Sequence, residues 1–171
     1  IGSGTKEWRE RTEPFGSWLG HQPAHLLTGG GGGVMTAVCR AFCEISGRKG
    51  HTIGILPSQQ DDPLCHPKPG YPNPWIEIPI HTHLPHTGHE GTDPQSRNHL
   101  TVLSSDIVVA FPGGAGTASE VSLALQYNRP LVAFIEQEGD IPNLSKSVSR
   151  MSTLEEIQTF IESFLHTFSE T

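Results

Sequence analysis

Five consecutive glycines, Gly29-Gly30-Gly31-Gly32-Gly33, constrain this 171-residue chain more than any other feature. They follow a short apolar run, His25-Leu26-Leu27-Thr28. They precede residues 34–46, where Val34, Val38, Ala41, Phe42 and Ile45 recur at helical spacing. Glycine weakens the interior of a helix or strand, so such a run belongs at a junction. Here the junction leads from a strand into a helix. A second turn of this kind, Pro112-Gly113-Gly114-Ala115-Gly116-Thr117, joins the continuous apolar run 106–111 to a helix read over 118–127. Apolar runs of that type are buried on both faces in parallel sheets.

The rest of the pattern repeats this alternation. Ile1-Gly2-Ser3-Gly4-Thr5 reads as a strand end and a tight turn, with most of the strand expected upstream. A helix is expected within 12–20, with Pro14 in its first turn. Residues 51–56 read as a strand stopped by Pro57, 58–74 as a loop, and 75–80 as an alternating strand. A second loop over 81–95 is followed by a short helix over 96–104 and a buried strand over 131–135. Residues 136–150 are polar and irregular. Ser152 and Thr153 form capping-box patterns with Glu155 and Glu156, opening a last helix to Phe168. Its apolar stripe is Leu154, Ile157, Phe160, Ile161, Phe164 and Leu165. The expected class is α/β: one three-layer, Rossmann-like ligand-binding domain over 1–171, with a parallel central sheet flanked by helices.

Eleven Lys and Arg against 18 Asp and Glu give a net charge of −7. No overall field draws nucleic acid or an acidic membrane to such a chain, so neither is expected as a partner. No apolar run approaches the ~20 residues needed to span a bilayer. No signal-peptide pattern is visible, although the chain begins at Ile1, which leaves a removed leader open. Cys39, Cys43 and Cys65 show no disulfide spacing, which points to a reducing compartment and hence the cytoplasm. Cys39 and Cys43, one helical turn apart, read as small core residues, and Trp18 and Trp75 as packing or stacking surfaces.

The glycine turns carry the chemistry. Residues without side chains let main-chain N–H groups approach an anion, and the helix that follows adds a partial positive charge. Thr117 can donate its hydroxyl to the same anion. In a parallel sheet both turns open at the carboxyl ends of strands, where ligands bind. Gly2, Ser3, Gly4 and Thr5 are a third contributor on that edge. The competing reading of each turn is close strand–helix packing alone.

In this order the chain presents Gly29 to Gly33 with Val34-Met35, then His51-Thr52-Ile53-Gly54-Ile55-Leu56-Pro57, then Arg97, then Pro112-Gly113-Gly114-Ala115-Gly116-Thr117-Ala118-Ser119-Glu120. This resembles the Lonely Guy superfamily of phosphoribohydrolases, long mislabelled lysine decarboxylases, whose motif is PGGxGTxxE. Within it, Ser96-Arg97-Asn98-His99 through Val121 and the five-glycine run resemble the molybdenum cofactor carrier branch.

The two branches imply different chemistry. The carrier branch implies a non-enzymatic protein whose cargo is the molybdenum cofactor (molybdopterin). Its phosphate and pterin would be held by Gly2, Ser3, Gly4, Thr5, Gly30, Gly31, Gly32, Gly33, Arg97, Asn98, Pro112, Gly113, Gly114, Ala115, Gly116, Thr117 and Glu120. Recipients would be molybdoenzymes such as nitrate reductase. The hydrolase branch implies cleavage of a nucleoside 5′-monophosphate, with Glu120 assisting and Arg97 holding the substrate. A nucleotide sensor without turnover is a third reading. The hydrolase pattern usually continues Arg-Lys, whereas here Asn98 follows Arg97. Glu120 is read onto the first turn of its helix, where the dipole favours any carboxylate. Arg97, read onto the short helix, is alternatively a surface cation. The resemblance also implies a homo-oligomer, with a tetramer ahead of a dimer. His81, His83, His86 and His89 fall in the second loop without metal-ligand spacing, so no metal site is expected.

Overall fold

A computed structural model describes residues 1–168 of the chain, and the side chains of residues 1–164. Helix α1 (Arg9–Gly20) opens after Trp8, whose backbone is left-handed at φ 49°. Thr12 returns its hydroxyl to the carbonyls of Glu7 and Trp8 at 3.0 and 3.2 Å. This start lies three residues before the expected one. Pro14 therefore sits past the first turn, on the exposed side of the helix.

Strands β1 (Leu26–Thr28), β2 (Thr52–Leu56) and β3 (Ile78–His81) form a parallel sheet in that order. Helix α2 (Val34–Cys43) joins the first two; it ends three residues short of the expected Ser46. Helix α3 (Asn98–Leu103) precedes β4 (Val108–Ala110), α4 (Ala115–Gln126) and β5 (Leu131–Phe134). The second sheet runs β4-β5-β6, again parallel, with β6 at Ser149–Met151. Strand β6 lies in the stretch expected to be irregular. Its burial is slight, so its hydrophobic pattern is weak. Ile1 and Ser3 run beside β4: Phe111 N donates to Ile1 O at 2.9 Å and Ser3 N to Pro112 O at 3.0 Å.

Strand β3 begins at Ile78 rather than Trp75 because Thr52 engages Trp75 and Glu77, and Ile76 N turns back to Asn73 O at 3.2 Å. The Thr52 hydroxyl donates to Trp75 O, and the Glu77 carboxylate accepts Thr52 N at 3.0 Å. All four residues of β3 are exposed, so the expected in–out alternation does not hold. Pro79 is tolerated because β3 ends its sheet, where a missing donor costs little.

The central strands alternate between two apolar layers. Phe111, Val132 and Phe134 join Phe15, Leu19, Val34, Val38, Cys39, Phe42, Ile157 and Ile161 on one face. Ala110, Ala133 and Ile135 join Val121, Ile141, Leu144 and Val148 on the other. Helices α1, α2 and α5 (Leu154–Phe168) thus cover one face and α4 the other, giving three layers. Full burial of a side chain such as Phe42 contributes about 2 kcal/mol. Burial pushes the Cys39 thiol up to about 12, as suits a core residue. Trp18 and Trp75 pack half-buried against this layer.

Helix α5 opens on the box formed by Thr153 and Glu156. Glu156 Oε2 accepts Ser152 N and Thr153 N, both at 3.0 Å, so the Thr153 box forms while the expected pairing of Ser152 with Glu155 is replaced by Glu156. Leu165 lies outside the described side chains. No helix among the described residues is long and apolar enough to cross a membrane.

Candidate functional site

The three glycine-bearing segments meet. Gly33, at φ +59°, lies against the residue 3–5 turn so closely that a Cβ there would fall 2.6 Å from Thr5 N and collide with Ser3 O. A Cβ at Gly113 would fall 2.8 Å from Ser3 N and meet the Thr117 hydroxyl. Ser3 therefore sits between the two larger turns. Its amide bonds to Pro112 O, and its carbonyl accepts Val34 N at 2.9 Å. Its hydroxyl accepts Lys6 N at 3.0 Å and Thr5 N at 3.3 Å, which closes the first segment.

The turn after β1 is braced by its neighbours. Gly30 N donates to Thr28 Oγ1 at 3.0 Å. Asn73 N donates to Gly30 O at 2.7 Å, and Asn73 Nδ2 to Gly31 O at 2.9 Å. The Thr36 hydroxyl also reaches Gly31 O at 3.1 Å. The amides of Gly31, Gly32 and Gly33 have no partner among the described residues.

The turn after β4 is held more lightly. Gly113 N donates to Asp140 O at 2.9 Å. Helix α4 then starts at Ala115, three residues before the expected start. The amides of Gly114, Ala115, Gly116 and Thr117 are left without acceptors among the described residues, as the first turn of any helix leaves them. Together with the dipole these amides favour an anion. Thr117 is buried beside Gly113, and its hydroxyl has no partner among the described residues. Pro112 contributes its carbonyl to Ser3 rather than a donor to the turn.

The early start of α4 moves two residues. Glu120 lies on the second turn, not the first, so stabilisation at the helix end does not account for it. Gly116 is a helical residue whose α-carbon faces Gly88: a Cβ there would stand 3.5 Å from Gly88 Cα.

Arg97 is the residue that caps α3, and it is buried rather than a surface cation. Its Nη1 lies 3.4 Å from Glu120 Oε1 and 3.2 Å from Thr101 Oγ1. The guanidinium also presses on Gly29. The two side chains are 5 % and 10 % exposed, so the pair is desolvated and each charge depends on the other. Arg97 Nε is buried without a partner. Asn98 is buried beside Gly91 and Ser119, next to this pair.

Residues 82–96 cross the carboxyl edge as a strap. Ser58 N donates to Leu84 O at 3.2 Å, and Ser119 Oγ to Gly88 O at 3.2 Å. His99 Nε2 lies 3.0 Å from Asp93 O, and its Nδ1 2.6 Å from the Tyr127 hydroxyl, fixing the far end. Of the four histidines, His81 belongs to β3 and His83 and His89 are exposed. His86 Nδ1 stands 2.9 Å from Asp93 Oδ1, without hydrogen-bond alignment. Among the described residues no three ligating side chains gather around one point.

Sequence reasoning missed Asn73 and Asp140. The Pro72-Asn73-Pro74 pattern was the available signal, since flanking prolines fix the backbone on which the amide is carried. Asp140 acts through its carbonyl, which leaves no side-chain signature.

A model of the SLOG cluster4 family matches residues 1–161. A protein of Archaeoglobus fulgidus, described only as uncharacterized, is 34 % identical over 101 residues, which cover 59 % of this chain and 53 % of that protein. The chain thus spans about half the length of this curated relative. Among solved structures, the molybdenum cofactor binding protein from the phototrophic bacterium Rippkaea orientalis is 27 % identical, with a TM-score of 0.66 over 92 % of this chain and 87 % of that one. The molybdenum cofactor carrier protein of Chlamydomonas reinhardtii is 23 % identical, with a TM-score of 0.63 over 92 % and 88 %. The TM1055 protein shares the fold at 20 % identity, with a TM-score of 0.67 over 91 % and 87 %.

Proposed function

The chain belongs to the SLOG cluster4 family, and from that premise we propose that it is a molybdenum cofactor carrier that binds the phosphorylated pterin, shields it and delivers it to molybdoenzymes such as nitrate reductase. The observation that carries this reading is the row of unpartnered amides at the start of α4, in a turn that Ser3 ties to the residue 29–33 turn. In a chain of net charge −7, local backbone donors are the means of holding a phosphate. The 27 % identical Rippkaea protein supports the nature of the cargo. A carrier needs affinity and exclusion of solvent, not transition-state stabilisation. Arg97 and Glu120, bound to each other, then serve as the rigid floor under the ligand, and Asn98 in place of a lysine fits a protein without turnover. The proposal extends to one ligand-binding domain, located in the cytoplasm and assembled as a homo-oligomer, the tetramer ahead of the dimer.

The proximity of Arg97 and Glu120 favours one rival, a nucleoside 5′-monophosphate phosphoribohydrolase. Incubation with AMP and a cytokinin riboside monophosphate separates the two. The carrier releases no ribose 5-phosphate and, once loaded, restores activity to an apo-nitrate reductase. Turnover that disappears in Glu120→Ala would overturn the carrier reading.

A further inference from the structure

Beyond the glycine turns, the same carboxyl edge holds a cleft of about 580 Å³ at the ends of β2 and β3. One wall is Gln59, Gln60, Asp61 and Asp62, from the loop after β2; the strap supplies His83 and Gln95. The size suits a small organic ligand rather than an ion. The polar groups divide in two. Asp62 is already engaged, accepting Leu64 N at 3.0 Å and His66 N at 2.8 Å, which holds the wall in shape. Asp61 keeps one carboxylate oxygen without a partner, the other receiving only a 3.4 Å contact from Gln60. The side chains of His83 and Gln95 have no partner among the described residues. Ser58 lines the cleft at 2 % exposure, and its hydroxyl too has no partner there.

The lining has two carboxylates, Asp61 exposed at the rim and Asp62 half-buried, and no Lys or Arg, so it repels a phosphate and suits a group rich in donors. We infer that this cleft takes the 2-amino-4-oxo edge of a planar heterocycle, the edge shared by pterins and guanine, with Asp61 accepting its amino and ring N–H groups. A carboxylate meets those two adjacent donors in a bidentate pair. Adenine offers a donor beside an acceptor and cannot match it. The glycine turns would then hold the phosphate of the same ligand, so this inference rests on the carrier reading for its phosphate and stands alone for its ring.

Calorimetry on the full chain with pterin, guanosine and adenosine tests it. Pterin and guanosine are expected to bind at least tenfold tighter than adenosine. Asp61→Asn removes most of that preference, and Gln95→Ala lowers affinity for all three rings about equally. Equal binding of adenosine and guanosine, or an Asp61→Asn variant with unchanged preference, overturns the inference. Pterin ahead of guanosine identifies the pterin as the source of the edge; the reverse order identifies a guanine nucleotide and removes the carrier reading alone. Inorganic phosphate, measured separately, reports on the glycine turns: its failure to bind while the ring preference persists counts against the carrier and leaves the cleft assignment intact.

Discussion

The turn at residues 29–33 and the turn at 112–117 occupy equivalent places, after β1 and after β4, yet they use their backbones differently. In the first, Asn73, Thr36 and Thr28 engage the polar groups of Gly30 and Gly31, and Arg97 backs Gly29. In the second, Gly113 is tied to Asp140 and the next four amides are left open. The run richer in glycine is therefore the more heavily braced, with the amides of Gly31, Gly32 and Gly33 open, and the turn with fewer glycines presents the longer row of donors, from Gly114 to Thr117. Glycine at residues 29–33 chiefly permits close approach of the residue 3–5 turn and of Arg97. Glycine and alanine at 113–116 let a helix begin with its amides uncovered.

The buried pair that joins the two turns gives the largest expected effect. Arg97 supports the first turn, and Glu120 stands on the helix that the second one opens. Arg97→Met leaves a carboxylate buried without its cation and should cost about 3–5 kcal/mol in urea unfolding. The double variant Arg97→Met/Glu120→Leu should recover more than half of that, because both charges are then gone. A single variant that loses less than ~1 kcal/mol would show that the turns do not depend on this tie.

A matched pair of alanine substitutions separates bracing from binding. Gly33→Ala places a Cβ against Ser3 O at a positive φ and should cost on the order of 2 kcal/mol in thermal unfolding. Gly114 has a negative φ and open space where its Cβ would go, so Gly114→Ala should stay within ~0.5 kcal/mol. For inorganic phosphate measured by calorimetry the order reverses: Gly114→Ala should weaken binding about tenfold, or ~1.4 kcal/mol, by crowding the open amides. Equal stability losses, with phosphate binding untouched in both, would erase the distinction between the turns.

This contrast also shows what the sequence made legible. The buried strands around Val108, Val132 and Ile55 were readable because apolar runs between turn residues have few alternatives in a parallel sheet. The convergence of Gly33, Ser3 and Gly113 followed from strand-to-helix placement. The start of α4 was misplaced by three residues because Ala115 and Gly116 read as turn by composition, while the helix geometry only requires that their amides go unpaired. Strand β6 was hidden for another reason: Ser149 and Arg150 are exposed, so no hydrophobic period marks them. The pairing of Arg97 with Glu120 could be suspected from the resemblance, but its burial comes from the packing of α3, α4 and Gly29, which no local pattern records.

The smallest expected effect belongs to a site remote from both turns. Glu77 ties Arg48 to Thr52 at the amino end of β2, opposite the edge where the glycines lie; Arg48 Nη2 is 2.6 Å from its carboxylate. The Arg48 hydrogen bond, followed by the Thr52 amide, holds the Glu77 carboxyl well below its usual 4.5, at about 2. Because the folded carboxyl ionises at lower pH than the unfolded one, its stabilisation is complete above pH 4.5 and disappears as pH falls toward 2. The side chain is 35 % exposed, so solvent screening limits the contribution to ~0.5 kcal/mol, or about 2 °C in Tm. Glu77→Gln should flatten the loss of Tm over that acid window and leave phosphate affinity at wild-type strength. A drop in phosphate affinity in this variant would mean that the braced turn after β1 responds to the far end of its own sheet, and the division of labour between the two turns would have to be redrawn.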